Sequence, residues 1–509
     1  MAYCQNKNHR DRLLEWLFLL RVIVQNGLAK HPGSLRIFFE TEMWERYGFY
    51  VVQTLLALYL AHHFQWQDEA VYALVGSFTA MTYLSPVLGG WIADHLLGQK
   101  RAVFAGTVIL FFSYLSLSLV SSSTALTAAL AGVAVGTGLL KPNISSLLGN
   151  EYPVGSPGRE SGFTIFYMGI TTGIILGSTL PSILHSHFGW SISFLSAAFG
   201  MIIAFAVFAF GVYRYKITDY HPFEFQALKL IQALLMMFLL WLLSFYILHY
   251  PGVANSAFIV VILLSLSYLI YSIKRESAQQ ARQNMVIGLL CIISVMFWAF
   301  YFQMFLSLTL FISRLVKPKL FGIEFPPPYY VSIQSIGMLI FGYFLARSKP
   351  QLNLVQSGIR TANKFLLAMV FMSLAYILIT FVCHSSPATG LLSPLYFIPA
   401  YLMISIAELL LSPVGLSAIT VLASRKKVST MMGIFFVSLG IGAFLSGKLA
   451  NLTAVNPATM PLIELRAHYT NTFTELLCIL LAATILCFLL NRIIKSLLSR
   501  HDQENVQKP

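Results

Sequence analysis

Ionisable side chains interrupt strongly apolar stretches of this sequence. In the first such stretch, Glu42, Glu45 and Arg46 are spaced so that all three share one face of a helix. Two carboxylates can compete there for one guanidinium, and protonation of either carboxylate would free Arg46 to bind another anion. The expected chemistry is therefore reversible proton binding coupled to anion binding, with a structural ion pair between helices as the alternative.

Two further charged residues interrupt later apolar stretches. Lys141 directly precedes Pro142, and Glu408 lies one helical turn before Ser412-Pro413. Charged groups in hydrocarbon are costly, so both residues are functional candidates by default. The alternatives are a lysine that reaches the membrane surface and a structural ion pair. All twelve histidines fall in predicted loops or tails, so proton transfer should depend on carboxylates, and no spacing of histidines or cysteines suggests a metal site.

The composition of the whole chain is that of a polytopic membrane protein. Of the 509 residues, 57% are hydrophobic and 10% are charged, and the mean hydropathy is +0.74. Such a composition excludes a soluble globular protein. No protease, esterase or dinucleotide-binding motif is evident, which makes an intramembrane enzyme a distant alternative. Segments long enough to span a membrane are predicted near 37–60, 71–93, 102–120, 125–148, 162–184, 190–212, 228–248, 253–273, 285–312, 330–346, 365–383, 391–422, 430–450 and 472–491.

The basic residues predict how these fourteen segments are oriented. Most of the 33 Lys and Arg residues fall on one side when the amino terminus is placed in the cytoplasm, which predicts that both termini are cytoplasmic. The same bias explains the net charge of +14 without a nucleic-acid partner. The predicted organisation is a cytoplasmic segment with an interfacial amphipathic helix, a six-helix bundle, a linker with a two-helix hairpin, a second six-helix bundle and a cytoplasmic tail, at 1–34, 35–213, 214–283, 284–493 and 494–509.

Five blocks of the sequence, in order along the chain, resemble the proton-dependent oligopeptide transporter family of the major facilitator superfamily. The first, Glu42-Met-Trp-Glu45-Arg46-Tyr47-Gly48-Phe49-Tyr50, is similar to the family motif ExxERFxYY. The other four are Gly89-Gly90-Trp91-Ile92-Ala93-Asp94 with Gly98 and Arg101, Lys141-Pro142-Asn143, Trp298 with Gln303, and the block from Glu408 to Ser417. The resemblance implies an all-α polytopic membrane protein with two six-helix bundles and an extra hairpin.

The resemblance also implies roles for individual residues. Glu42 and Glu45 would be the protonation sites, Arg46 and Lys141 would bind the substrate carboxylate, and Glu408 would receive the ammonium group of a peptide. Asp94 and Arg101 would act in gating by clamping neighbouring helix ends. The remaining substrate-binding positions would be Tyr50, Gln53, Tyr83, Thr171, Trp298, Gln334, Ser412 and Phe435.

Several of these positions depart from the family pattern. Thr171 replaces the usual asparagine of the fifth span, and Gln334-Ser335 replaces an Asn-Pro pair in the eighth. Phe302 stands where many members have a carboxylate that faces the lysine of the fourth span. Phe435 and Phe49 replace a common tryptophan and tyrosine, and Gln53 replaces a common arginine. Proton coupling is therefore expected to be intact, whereas recognition of the peptide amide and amino terminus is expected to be altered.

The expected function is proton-coupled import of di- and tripeptides by alternating access across a bacterial inner membrane. No cofactor besides the coupling proton is expected, and the expected partners are the small-molecule substrate and membrane lipid, with the protein acting as a monomer. A second interpretation is a proton-coupled carrier of the same fold for a non-peptide organic anion or amino-acid derivative. A passive channel is a distant third.

Overall fold

The fold is almost entirely helical. The computed structural model describes residues 31–152, 157–219, 226–346, 354–385, 390–424, 427–456 and 460–506. The amphipathic helix predicted at Leu13–Val24 lies outside these residues. The strands among them are two short antiparallel segments, β1 (Lys319–Leu320) and β2 (Ile323–Glu324), which form a hairpin.

Fifteen α-helices account for most of the described residues. The first eight are α1 (Leu35–His62), α2 (Asp68–Ile92), α3 (Gln99–Ser118), α4 (Ser123–Asn150), α5 (Pro157–Phe188), α6 (Trp190–Tyr215), α7 (Ala227–His249) and α8 (Pro251–Arg275). The remaining seven are α9 (Ala278–Tyr301), α10 (Ser307–Leu315), α11 (Pro328–Ala346), α12 (Leu354–Ser385), α13 (Ile398–Leu422), α14 (Val428–Ala450) and α15 (Leu462–Val506).

Twelve helical segments in the described residues are long and apolar enough to cross a membrane, two fewer than the fourteen predicted. The two predicted segments that are missing from this set correspond to α1 and α11, which are nevertheless helices of 28 and 19 residues. In α1 the shortfall in hydropathy has a clear cause, because this helix carries the charged residues Arg36, Glu40, Glu42, Glu45 and Arg46. Hydropathy alone therefore fails to identify α1, the helix that carries the predicted proton chemistry, as a membrane span.

The helices form two groups and a hairpin. In the first group, called the N-half (α1–α6), α1 packs against α5 and α6, and α4 packs against α2 and α3. In the second, called the C-half (α9–α15), α9 packs against α14 and α15, and α13 packs against α11 and α12. The hairpin of α7 and α8 packs on α4 and α9, and most of its large apolar side chains are exposed. Helix α15 continues through the predicted tail boundary at 493/494 as far as Val506.

Glycines of α5 determine how closely α1 is held. A Cβ atom on Gly173 would lie 2.3 Å from the Met43 carbonyl oxygen, and one on Gly177 would lie 2.6 Å from the Tyr47 carbonyl oxygen. Gly169 lies one turn earlier in the same row. Small residues at four-residue spacing allow helices to cross closely, and this row holds α5 against the backbone of α1 at the level of the charged residues.

The helix that begins with α9 is interrupted in the middle of the bundle. A 3₁₀ turn at Phe302–Phe305 and an irregular Leu306 separate α9 from α10, which the sequence had predicted as one continuous span. The side chain of Gln303 donates to the carbonyl oxygen of Ser446 at 2.8 Å and accepts from the Ser307 hydroxyl at 2.6 Å. Side-chain hydrogen bonds therefore support a helix break inside the apolar core.

Candidate functional site

The three charged residues of α1 form one buried ion cluster, defined here as Glu42, Glu45 and Arg46. Both Arg46 Nε and Arg46 Nη2 donate to the Glu45 carboxylate, the latter at 2.6 Å, and Arg46 Nε lies 3.4 Å from Glu42 Oε1. None of the three residues is more than 4% exposed. Arg46 is thus shared between two carboxylates, as the helical spacing predicts, and its guanidinium also lies 4.9 Å from the ring centre of Phe49.

Lys141 on α4 faces the ion cluster and begins an aromatic stack that reaches the C-half. It interacts electrostatically with all three residues of the cluster, and its ammonium lies 4.9 Å from the ring centre of Tyr83. The Tyr83 ring contacts Phe302 at 5.6 Å between centroids, and Phe302 stacks on Trp298 at 5.3 Å. Phe302, at the position where many members of the family that this sequence resembles have a carboxylate, therefore makes an aromatic contact between the halves.

Glu408 on α13 is the corresponding buried charge of the C-half. Its Oε2 atom accepts hydrogen bonds from the Tyr301 hydroxyl at 2.8 Å and from Gln334 Nε2 at 2.6 Å. The backbone of Gln334 is itself held by α13, because the Ser405 hydroxyl donates to the main-chain carbonyl oxygen of Gln334 at 2.6 Å. The sequence indicated Glu408 and Gln334 but missed Tyr301, whose partner lies 107 residues further along the chain.

Two tyrosines connect the charges of the two halves. Tyr50 and Tyr83 each interact electrostatically with both Arg46 and Glu408. Tyr50 also contacts Phe305 of the C-half edge to face, at 6.3 Å between ring centres. The structure therefore places the cationic groups of the N-half and the carboxylate of the C-half around one shared set of aromatic side chains.

Other predicted residues make contacts within their own half. Gln53 donates to the Thr79 hydroxyl of α2 at 3.0 Å, and the Thr171 hydroxyl donates to the Tyr167 carbonyl oxygen of its own helix at 3.1 Å. Phe435 is 2% exposed and fills the space beside Gly415, whereas Ser412 is half-buried. Within the described residues, no group of three or more His, Cys, Asp or Glu side chains is arranged to hold a metal ion.

The predicted gating residues lie at one end of the N-half, called here the Asp94 end. Helix α2 finishes there in a π-helical turn, Ala93–Leu97, and Gly98 adopts a positive φ of 80° that starts α3. Asp94 is exposed and lines a cavity of about 640 Å³, together with Arg159. Arg101 Nη1 contacts the Leu97 carbonyl oxygen at 3.5 Å, so it lies against the same turn.

A buried ion pair at the opposite end, called the Asp68 end, was missed by the sequence analysis. Arg314 at the end of α10 donates to both carboxylate oxygens of Asp68 at 2.7 Å and to the Tyr469 hydroxyl at 2.8 Å. The backbone N–H of Val455 donates to Asp68 at 3.0 Å. The two charged residues are 246 positions apart and each lies at a helix end, so no local pattern indicated their pairing.

This pair belongs to a longer seam between the halves. The hydroxyls of Ser178 on α5 and Ser332 on α11 are 2.6 Å apart. A Cβ atom on Gly76 of α2 would lie 3.0 Å from the Cα atom of Gly447 on α14. The halves are therefore in close contact toward the Asp68 end.

Comparisons with known proteins agree with this arrangement. The model of the POT family matches residues 100–468. Dipeptide and tripeptide permease B of Edwardsiella piscicida is 30% identical over 464 residues, which cover 88% of this chain and 92% of that protein. Dipeptide and tripeptide permease A of Klebsiella pneumoniae is 30% identical over 447 residues, which cover 86% and 88%.

Solved structures show the same similarity. A crystal structure of a mutant peptide transporter POT in complex with alafosfalin superposes with a TM-score of 0.79 at 25% identity, and covers 92% of this chain and 96% of that one. The structure of tetrameric PepTSo2 gives a TM-score of 0.80 at 25% identity over 91% and 99% of the two chains. The resemblance found in the sequence motifs is thus matched over nearly the whole fold.

Proposed function

Because this chain belongs to the POT family of membrane transporters, we propose that it imports di- and tripeptides and couples their movement to protons. Family membership confirms the expectation of a multi-pass transporter with an all-α, major-facilitator-like fold. It equally confirms that the protein is not an enzyme. We propose three things beyond family membership: that the substrate is a di- or tripeptide, that the coupling ion is a proton, and that transport proceeds by alternating access.

The observation that carries the proposal is the division of charge between the halves. A short peptide is a zwitterion, so a carrier must match a carboxylate at one end and an ammonium at the other. Arg46 and Lys141 supply cations in the N-half, and Glu408 supplies a carboxylate in the C-half, with Tyr50 and Tyr83 between them. This arrangement orients a zwitterion across the seam, and the dipeptide and tripeptide permeases named above support a peptide as the substrate.

The ion cluster supports proton coupling. In the structure Arg46 neutralises two carboxylates that are buried from solvent. When a substrate carboxylate draws the guanidinium away, a carboxylate left behind in a buried position favours its protonated form. Substrate binding and proton uptake thus become linked at Glu42 and Glu45.

The seam supports alternating access across a bacterial inner membrane. The basic residues predict that the Asp94 end is cytoplasmic and that the Asp68 end is therefore periplasmic. The ion pair of Asp68 and Arg314 then belongs to a closed periplasmic side. A passive channel has no need of a buried pair that holds its halves together at one end, and this favours a carrier.

A second candidate is a proton-coupled carrier for a non-peptide organic anion or an amino-acid derivative. Two contacts favour it. The Thr171 hydroxyl is bonded to its own helix, and Gln334 donates to Glu408, so the two positions usually held by asparagine present fewer free groups to a peptide backbone. This candidate keeps the ion cluster and changes only what the cavity recognises.

Transport by purified protein in proteoliposomes tests the proposal. We expect accumulation of labelled dipeptides when the outside is acidic, and counterflow exchange without a gradient. Glu42→Gln should abolish accumulation and leave exchange measurable, because the amide cannot cycle a proton. Glu40→Gln, which removes an exposed carboxylate on the same helix, is the matched control and should transport normally.

Three results would contradict the proposal. If Glu42→Gln still concentrates substrate against a gradient, coupling does not depend on Glu42, and if Glu45→Gln does so as well, coupling does not use the ion cluster. If no di- or tripeptide binds or exchanges but an organic anion does, the second candidate is correct. Uptake that saturates neither with peptide nor with anion, and that shows no counterflow, would indicate a channel.

A further inference from the structure

Four buried polar atoms on α1, α3 and α4 make no hydrogen bond to the described residues. They are Thr41 Oγ1, Glu42 Oε2, Tyr114 Oη and Thr137 Oγ1. Each belongs to a side chain that is at most 1% exposed. Buried polar groups in folded proteins almost always pair with protein or with ordered water, so four on these three helices require an explanation.

Tyr114 of α3 lies beside the ion cluster. Its ring packs on Gly48 of α1, where an added Cβ atom would come within 2.8 Å of the ring. Tyr114 also interacts electrostatically with Glu45 and Arg46. The unpaired phenol is therefore directed at the region of α1 that carries the cluster.

The two threonines lie around the same cluster. Thr137 is one turn before Lys141 on α4, so the two side chains share a helix face. Lys141 interacts electrostatically with Glu42, Glu45 and Arg46, so this face is turned toward α1. Thr41 lies one turn before Glu45 on α1 itself. The four atoms thus come from three helices that meet at the ion cluster.

The chemistry of these atoms fits water. Two hydroxyls and a phenol can each donate and accept, and the carboxylate oxygen accepts. Arg46 and Lys141 place two positive charges beside them, which disfavours a metal cation. Water can satisfy donors and acceptors together and carries no charge.

We propose that these four atoms bound a buried hydration site, formed by α1, α3 and α4, whose water hydrogen-bonds to Glu42 Oε2. Through this water the coupling carboxylate exchanges its proton by relay: the water passes one of its protons to Glu42 Oε2 while it takes another proton along its hydrogen bonds from the aqueous side, so that it stays neutral, and the reverse relay empties the carboxyl group. The role in proton transfer rests on the proposed function, whereas the presence of water does not.

Radiolytic hydroxyl-radical labelling of the intact protein tests the hydration site directly, because radicals formed from bound water label the side chains beside it. We expect Tyr114 to be labelled although it is fully buried. Tyr376 is the matched control, since it is equally buried but its hydroxyl donates to the Phe300 carbonyl oxygen at 2.9 Å. Equal, background labelling of both tyrosines would overturn the hydration site, whatever the substrate proves to be.

Isosteric substitutions test the proton-transfer role. Thr137→Val and Tyr114→Phe should each lower gradient-driven uptake at least fivefold at neutral outside pH, and uptake should recover in part at acidic pH. D₂O should slow uptake by these variants more than it slows uptake by the unaltered protein. Exchange should be unchanged, because it needs no release of the proton. Thr137→Ser, which keeps the hydroxyl, should restore uptake.

A control variant separates this role from packing. Thr107→Val also removes a fully buried hydroxyl, but one that is bonded to the Val103 carbonyl oxygen of its own helix at 2.8 Å, and it should transport normally. Normal uptake by Thr137→Val and Tyr114→Phe would overturn the proton-transfer role, and so would equal loss of uptake and exchange in Thr137→Ser. If the unaltered protein exchanges no peptide while Tyr114 is still labelled, the proposed function fails and the hydration site stands.

Discussion

Removal of one charge from the Asp68–Arg314 pair should open the Asp68 end. The Asp68→Asn substitution leaves one oxygen that can still accept from Val455, but replaces the other with an amide that faces the guanidinium. Arg314 is 8% exposed at its side chain, so its charge would be buried without a counter-ion. Breaking a buried pair in this way costs about 3 to 5 kcal/mol.

This cost falls on one conformation only. Asp68 belongs to α2 of the N-half and Arg314 to α10 of the C-half, so the pair exists only when the halves meet at this end. Since one oxygen of asparagine retains part of the bonding, we take the lower figure of about 3 kcal/mol. That energy corresponds to a change of about a hundredfold in the ratio of closed to open molecules.

The distance between the halves can be measured by pulsed electron resonance of spin labels in lipid nanodiscs. Phe188 at the end of α5 and Phe321 in the β-hairpin are exposed positions on opposite halves and are suitable for cysteine labels, with Cys4 and Cys478 replaced by serine. We expect one short distance in the unaltered protein and a second, longer population in Asp68→Asn.

The neighbouring residue provides the control. Glu69 is an exposed carboxylate at the same helix end, and Glu69→Gln should leave the distances unchanged. The exchanged pair Asp68→Arg with Arg314→Asp should recover the short distance in part. An unchanged distance distribution in Asp68→Asn would refute the assignment of this pair to closure of the halves.

Three further predictions concern the C-half carboxylate and the Asp94 end. Glu408→Gln should weaken binding of free-amine peptides by about 2 to 4 kcal/mol while amino-blocked ones lose far less, measured by calorimetry; equal losses would remove Glu408 from the site. Tyr301→Phe should reduce affinity for the same free-amine peptides by about 1 kcal/mol, because it removes one of two donors that hold the carboxylate in place, and an unchanged affinity would contradict this role. Asp94→Asn should slow turnover without a change in equilibrium affinity, whereas a large loss of affinity at normal turnover would exclude a gating role.

The sequence predicted those parts of the site that depend on local periodicity. The spacing of Glu42, Glu45 and Arg46 was enough to predict their cluster, because helix geometry alone brings them together. Glu408 was indicated by the cost of a charge in an apolar stretch. Neither argument could find Tyr301 or Arg314, whose partners are brought to them only by the packing of distant helices.

Hydropathy predicted membrane spans less well where a span carries charged functional residues. Helix α1 is tightly packed among α5 and α6, so Glu42, Glu45 and Arg46 are shielded by protein and not by lipid. A segment of that kind needs less apolar character than a lipid-facing helix. The break between α9 and α10 escaped prediction for a related reason. The side chains of Gln303 and Thr309 donate to backbone carbonyl oxygens at the break, those of Ala299 and Met304, and no proline or glycine marks the position.

Because of that break, α10 is a short helix that can tilt separately from α9. From Leu306 to Arg314 the chain rises by about 12 Å at 1.5 Å per helical residue. A tilt of about 20° at the break would therefore displace Arg314 by about 4 Å, which exceeds the reach of a hydrogen bond to Asp68. Phe302 and Phe305 lie at the break and contact Tyr83 and Tyr50. A substrate that shifts these two tyrosine rings would therefore act on α10 close to the break, and the larger displacement would fall on the ion pair at the other end of α10.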